Sequence, residues 1–277
     1  MTTIVALLNG LLNALFDALC WPLKSFDPLW AMVWISLLTG VLMVWIFGKV
    51  SNQDGIKRAK DKIYGNIYGV LLFQDDVGVI LRLQGRILRH ILTYMKYSLI
   101  PMVILMIPVI LIIIQLNLRF SVQPFEPGDS VLLKVKVRDA SALDRPIALD
   151  LPGGIEKESP AVRIPSEREV AWRLRAQKPG EYPLAIRFGE DTVEKQILVG
   201  SRWGKTSARR PGAGVLDVLL WPGEAPLERS APVESIEIDY PTLPLSVFGW
   251  NVHWLVAFFI LSIVFGFAVK DFFGVQV

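Results

Sequence analysis

The sequence predicts an α + β membrane protein: three transmembrane helices, a cytoplasmic helical hairpin and an extracytoplasmic immunoglobulin-like β-sandwich. Three observations carry that expectation. Apolar runs stand at residues 29–47, 98–118 and 254–269. The segment between the first two is short, basic and patterned as helix. The segment between the last two is long, near neutral and rich in period-two alternation. The expected organisation is 1–28 outer helix, 29–48 first span, 49–97 hairpin, 98–118 second span, 119–200 sandwich, 201–249 Pro-rich tether and 250–277 third span with the C-terminus.

Residues 1–28 open with Ile4, Leu8, Leu11, Leu12, Leu15 and Leu19 at helical spacing, while Asn9, Asn13 and Asp17 line the other side. This pattern predicts an amphipathic helix lying in the outer membrane interface and ended by Pro22; a fourth, short span is the alternative. The stretch lacks the basic n-region and small-residue cleavage site of a signal peptide. Crossing a hydrocarbon core of about 30 Å takes roughly 20 helical residues. Residues 98–118, SLIPMVILMIPVILIIIQLNL, supply that length without a charge. Pro101 and Pro108 would break a soluble helix but are tolerated in spans, where neighbours re-satisfy the backbone. Trp30, Trp34 and Trp45 in the first run, and Trp250 and Trp254 before the third, suit interfacial belts. A hydrophobic content of 52% agrees with a membrane chain, and a formal charge of +3 is too small to suggest nucleic acid.

Orientation follows from the distribution of charge. Between the first two spans stand Lys49, Lys57, Arg58, Lys60, Lys62, Arg82, Arg86, Arg89 and Lys96, opposed only by Asp54, Asp61, Asp75 and Asp76. Short loops rich in Lys and Arg stay cytoplasmic, whereas long translocated domains escape the rule. The expectation is an N-terminus outside, 49–97 inside, 119–249 outside and the C-terminus inside, in a bacterial cytoplasmic (inner) membrane. Ile56, Ala59, Ile63, Ile67 and Val70, then Val77, Ile80, Ile87, Ile91 and Met95, recur at helical spacing. Two helices joined across Gln74-Asp75-Asp76 are expected, with Asp75 or Asp76 capping the second. The basic side chains have two readings: they fix topology and bind anionic lipid, or they meet an anionic partner such as ribosomal RNA or an acidic nascent chain.

In the outer segment, VLLKVKV (131–137), PLAIRF (183–188) and TVEKQILV (192–199) follow turn sequences of the Pro-Gly and Gly-Glu-Asp kind, and VAWRLRA (170–176) alternates too. Alternation of this sort predicts antiparallel strands buried on one face. The repeated turn-then-strand pattern resembles bacterial immunoglobulin-like adhesion or export modules. Prolines at 211, 222, 226, 232, 241 and 244 predict an extended tether, with strands expected at 215–220 and 234–239.

No catalytic set is visible, so the chain is not expected to be an enzyme, and no cofactor or metal is implied. His90 and His253 fall on opposite sides of the expected membrane and cannot share a metal or a triad. His253 beside Trp250 and Trp254 reads as interfacial. The single cysteine, Cys20, excludes an internal disulfide and reads as an apolar filler. No P-loop, dinucleotide fingerprint or His-Glu-x-x-His occurs. Inside the spans the polar side chains are Ser36 and Thr39, Ser262, and Gln115 with Asn117. They serve helix packing or form a partly wet groove for a polar segment of another protein. The absence of intramembrane charge argues against an ion-coupled carrier.

Two stretches carry a family likeness: SLLTGVLMVWIFGKVSNQDGIKRAKDKI (36–63) and MKYSLIPMVILMIPVILI (95–112). With the order of helices, they resemble the YidC-type insertase superfamily, which includes archaeal YidC-like proteins and the three-span subunit of the ER membrane complex. The resemblance implies a protein that helps membrane proteins insert or assemble. Three helices would form a cytoplasm-facing groove, here near Ser36, Thr39 and Ser262, and the basic hairpin would receive the client. The implied partners are the lipid bilayer, nascent or unassembled membrane proteins and the ribosome. The chain departs from many bacterial members in having no positive residue inside its spans, and in placing a β-rich module between the second and third. The alternative is a non-catalytic subunit of an envelope complex that docks through the β-sandwich.

Overall fold

The computed structural model of the protein describes residues 2–200, 203–247 and 249–275; Ser201, at the expected start of the tether, and Phe248, near its end, lie outside the described residues. The helices are α1 (Thr2–Cys20), α2 (Pro28–Val50), α3 (Gln53–Leu72), α4 (Val77–Phe120), α5 (Val215–Leu220) and α6 (Trp254–Val269). Three segments, Thr3–Leu23, Pro28–Val50 and Val77–Phe120, are long and apolar enough to cross a membrane, which marks the chain as an integral membrane protein. α6 is equally apolar but shorter, at 16 residues. The chain divides into a helical unit, Met32–Leu111 with Leu255–Val277, and a β-bearing unit, Met1–Ala31 with Ile112–Trp254.

In the helical unit, Asn52 starts α3 by accepting the Gly55 N–H on its Oδ1 at 2.9 Å. Of the two candidate caps for α4, Asp76 does the work, accepting the Val79 N–H at 3.0 Å. The carboxylate also complements the positive end of that helix. α2 and α6 approach to backbone contact. A Cβ on Gly40 would stand 2.8 Å from the Ser262 carbonyl oxygen and 2.9 Å from the Gly266 nitrogen. Ser36 and Gly40, and Ser262 and Gly266, are each four residues apart and so share a helix face. Such small-residue pairs let helices meet closely in lipid.

The β-bearing unit holds β1 (Ser130–Val137), β2 (Ile147–Asp150), β3 (Ile155–Lys157), β4 (Val162–Ile164), β5 (Glu169–Ala176), β6 (Gly180–Phe188), β7 (Asp191–Val199), β8 (Arg209–Arg210), β9 (Val233–Ile238), β10 (Leu245–Val247) and β11 (Trp250–Val252). One antiparallel sheet runs β3-β5-β1-β9-β8, with β4 also on β5; a second runs β2-β6-β7; β10 and β11 form a hairpin. Alternation decides the burial: Val131, Leu133, Val135 and Val137 of β1 are buried, as are Val170, Trp172, Leu174 and Ala176 of β5. They share one core with Leu184, Ile186 and Phe188 of β6 and Val193, Ile197 and Val199 of β7. The stretch 201–249 is therefore more than a tether, because β9 lies between β1 and β8.

The strand expected at 215–220 is a helix. Gly214 is extended at its start, and its carbonyl accepts the Val218 N–H at 2.9 Å. Val218 is buried while Leu216 is exposed, a one-sided pattern that a single helical turn satisfies as well as a strand. At the other end of the core, Tyr240 stacks on Phe125 and its hydroxyl accepts the Leu198 N–H at 2.9 Å. Glu224 accepts the Gln196 N–H, and Arg210 donates to the Glu194 carbonyl. Side chains thus occupy much of the outer edge of β7, which blunts strand-on-strand association.

Candidate functional site

The helical unit carries a groove of about 260 Å³ walled by Thr39, Gly40, Met43 and Val44 of α2, Val109 of α4, and one face of α6. The close approach at Gly40 sets its floor. Thr39 and Ser262, two of the expected groove residues, line it together; Phe258, Phe259, Ile263 and Phe267 make the rest of the α6 wall apolar. Ser262 spends its hydroxyl proton on the Phe259 carbonyl at 3.1 Å, so Thr39 offers the free hydroxyl. Ser36 does not line the groove. It is fully buried, and its Oγ has no hydrogen-bond partner among the described residues.

Gln115 and Asn117 belong to the β-bearing unit and have structural work there. Gln115 accepts from Arg119 Nη1 on its Oε1 at 2.7 Å. Arg119 is itself buried, donates to Asp17 at 2.6 Å and to the Asn13 carbonyl at 3.2 Å, and lies over the Phe16 ring. Asn13 and Asn9 donate to the carbonyls of Pro222 and Val218 at 2.8 and 2.6 Å. The polar stripe of α1 is thus its docking face, and Ile4, Leu7, Leu11 and Leu15 are left exposed. Asn117 lines a narrow cleft with Ser207, Trp221 and Gly223.

In the β-bearing unit some bases meet carboxylates, while others, such as Arg138, Arg163 and Arg168, donate to carbonyls. Lys134, Lys136, Arg145, Arg175, Arg187, Lys195 and Arg209 face Asp239, Glu234, Asp191, Glu158, Asp150, Glu224 and Glu237 respectively. Lys195 is fully enclosed; burial pushes its ammonium pKa down while Glu224 pulls it up, and the Ser207 carbonyl accepts from it at 2.6 Å. In the helical unit, Lys49, Lys57, Arg58, Lys62, Arg82, Arg86 and Arg89 have no carboxylate partner among the described residues. Arg58 and Arg82 fold back onto the carbonyls of Asp54 and Gly78 through Nε, each at 3.1 Å.

Sequence reasoning missed Arg119, Lys195 and Glu224, which have no local pattern. It also missed Gly40 and Gly266, which the four-residue spacing from Ser36 and Ser262 would have revealed. No group of three or more His, Cys, Asp or Glu able to hold a metal occurs among the described residues. Comparison of the sequence with protein-family models and with curated proteins finds no match.

Proposed function

We propose that this protein assists the insertion or assembly of membrane proteins, as a member of the YidC-type insertase superfamily. The observation that carries the reading is the groove beside α2 and α6, with hydroxyl-bearing Thr39 and Ser262 on an otherwise apolar wall. A client helix can lay its apolar side there while a polar flank meets the hydroxyls. Placing a charge at the bilayer centre costs about 3 kcal/mol on insertion scales, so even modest polar relief at the wall matters. The uncompensated basic side chains of α3 and α4 would lie on the cytoplasmic side, as a hairpin that receives clients or the ribosome.

In this reading the β-bearing module is an extracytoplasmic immunoglobulin-like sandwich, in a bacterial inner membrane. α1 lies in the outer interface. The bonds of Asn9, Asn13 and Asp17 along one stripe support that placement, because they hold the helix to the β-bearing unit over much of its length.

A photo-crosslinking residue at Thr39 and another at Arg86 are expected to capture ribosome-bound nascent membrane proteins in cells. Capture of stable envelope proteins alone would reject the insertase reading. It would favour the second reading, a non-catalytic envelope-complex subunit docking through the β-module. That reading has its own support: β2, at one edge of its sheet, pairs only with β6 among the described strands, so its other side carries no strand.

A further inference from the structure

We propose that a depression between α3 and α4 is a binding site for a phosphate group. One face of α3 contributes Gly55, Arg58, Ala59 and Lys62, and one face of α4 contributes His90, Thr93 and Tyr97, around a volume of about 240 Å³. The spacings of three, four and seven residues put each set on a single helix face. No carboxylate lines the hollow, although Asp54 and Asp61 stand on the same helix.

The donors are arranged for an oxyanion. Arg58 is held by its Nε against the Asp54 carbonyl at 3.1 Å, which leaves both terminal nitrogens without a partner among the described residues. A guanidinium fixed in this way presents a ready fork to phosphate oxygens. Lys62, one turn further along α3, adds a second uncompensated positive charge on the same wall. His90 supplies a ring N–H in either protonation state, and Tyr97 a phenolic hydroxyl. Thr93 has already given its proton to the Arg89 carbonyl at 2.9 Å and serves as wall. Gly55 and the buried Ala59 keep the floor low. The Asn52 side chain caps the start of α3, so the positive charge of the site comes from side chains and not from the helix end.

Position names the ligand class. Tyr97 immediately precedes the uncharged apolar run of α4, and Gly55 follows the end of α2 at Val50 by five residues. The hollow therefore sits where α2 and α4 leave the apolar zone, at the depth of phospholipid headgroups. The shared chemistry is a phosphate oxyanion, carried by an anionic lipid or free in solution. This inference rests on the hollow between α3 and α4 and on where the apolar runs of α2 and α4 end, and is independent of the insertase reading.

The test uses the full chain in nanodiscs of phosphatidylcholine with and without phosphatidylglycerol, followed by native mass spectrometry of the lipid retained. Arg58→Gln with Lys62→Gln is expected to lower retained phosphatidylglycerol about tenfold or more, given the usual strength of charge-assisted hydrogen bonds. Tyr97→Phe, which keeps the ring, is expected to lower it about fivefold. Arg82→Gln with Arg86→Gln removes the same charge off the site and is expected to leave retention unchanged. If added inorganic phosphate displaces the lipid in wild type, the site takes the free anion as well; if not, it takes the headgroup. Equal losses in the two double variants would show diffuse charge attraction, and unchanged retention in all variants would show no binding; either result overturns the site.

Discussion

Lys195 and Arg86 carry the same charge in opposite settings. Lys195 is sealed inside the β-bearing unit against Glu224 and the Ser207 carbonyl. Arg86 stands on α4, exposed and without a carboxylate partner among the described residues. At the surface the contrast is one of degree: Lys134 meets Asp239 and Arg187 meets Asp150, but Arg138, Arg163 and Arg168 bond to carbonyls, and Lys57, Arg58, Lys62 and Arg89 have no carboxylate partner among the described residues. In the β-bearing unit the buried bases, Lys195 and Arg119, are each paired with a carboxylate, so no buried base is left stranded there among the described residues. A run of like charges without carboxylate partners is available to anionic lipid or an anionic partner, as proposed above. The means of cohesion differ in parallel: a common core between two sheets in one unit, backbone contact between small residues in the other.

The comparison can be broken most forcefully in the β-bearing unit. Trp172 is buried at the centre of β5, and Trp172→Ala is expected to cost about 3–5 kcal/mol, read by chemical denaturation followed through tryptophan fluorescence. Glu224→Ala leaves the Lys195 ammonium enclosed without its partner and is expected to cost a similar amount, about 3–5 kcal/mol. Replacing both, Lys195→Met with Glu224→Leu, should recover most of that loss, because the cost lies in the stranded charge. If the single variant were neutral, the claim that the enclosed Lys195 charge depends on Glu224 would be wrong. In the helical unit, Gly40→Val drives a side chain into the Ser262 carbonyl and is expected to cost about 1–3 kcal/mol. It should also abolish capture of clients from Thr39, while Arg86→Gln should change stability by no more than about 0.5 kcal/mol.

The smallest effect concerns pH. The hydrogen bond from Lys134 to Asp239 raises the lysine pKa above its ordinary 10.5. A folded-state pKa raised in this way gives stability that is fully present below the unfolded value and is lost as pH rises through the folded one. Asp239→Asn should therefore flatten a slight alkaline decline in melting temperature above pH about 10.5, and a steeper decline would contradict the assignment.

Much of the architecture was legible because burial imposes a period. Alternation in 131–137, 170–176, 183–188 and 192–199 lies within β1, β5, β6 and β7, and the strand expected at 234–239 is β9 shifted by one residue. The helical spacing from Ile56 to Val70 lies within α3, and the acidic link supplied its expected cap through Asp76. The short strands β2, β3 and β4 escaped, since three or four residues are too few to display a period. Val215–Leu220 was misread for the same reason. Strand order was invisible: nothing local tells Val233–Ile238 to lie beside β1, nearly a hundred residues away. Of the expected groove residues, Thr39 and Ser262 came together because they are hydroxyls on small-residue faces, whereas Gln115 and Asn117 were recruited by Arg119 and the cleft near Trp221. The Gln115–Arg119 pair is one helical turn apart, but what draws Arg119 inward is Asp17, and the cleft of Asn117 is closed by Trp221, each about a hundred residues away, which no spacing rule reports.

The most direct measurement places one cysteine in each region, in a chain where the buried Cys20 is replaced by Ala. Asp75→Cys marks the link between α3 and α4, and Ser130→Cys marks the start of β1. Intact cells treated with a membrane-impermeant maleimide should label the Ser130→Cys protein and spare the Asp75→Cys protein until the membrane is opened. Labelling of both from outside, or the reverse pattern, would contradict the account, because the basic α3–α4 pair and the β-module would then not face opposite compartments as proposed.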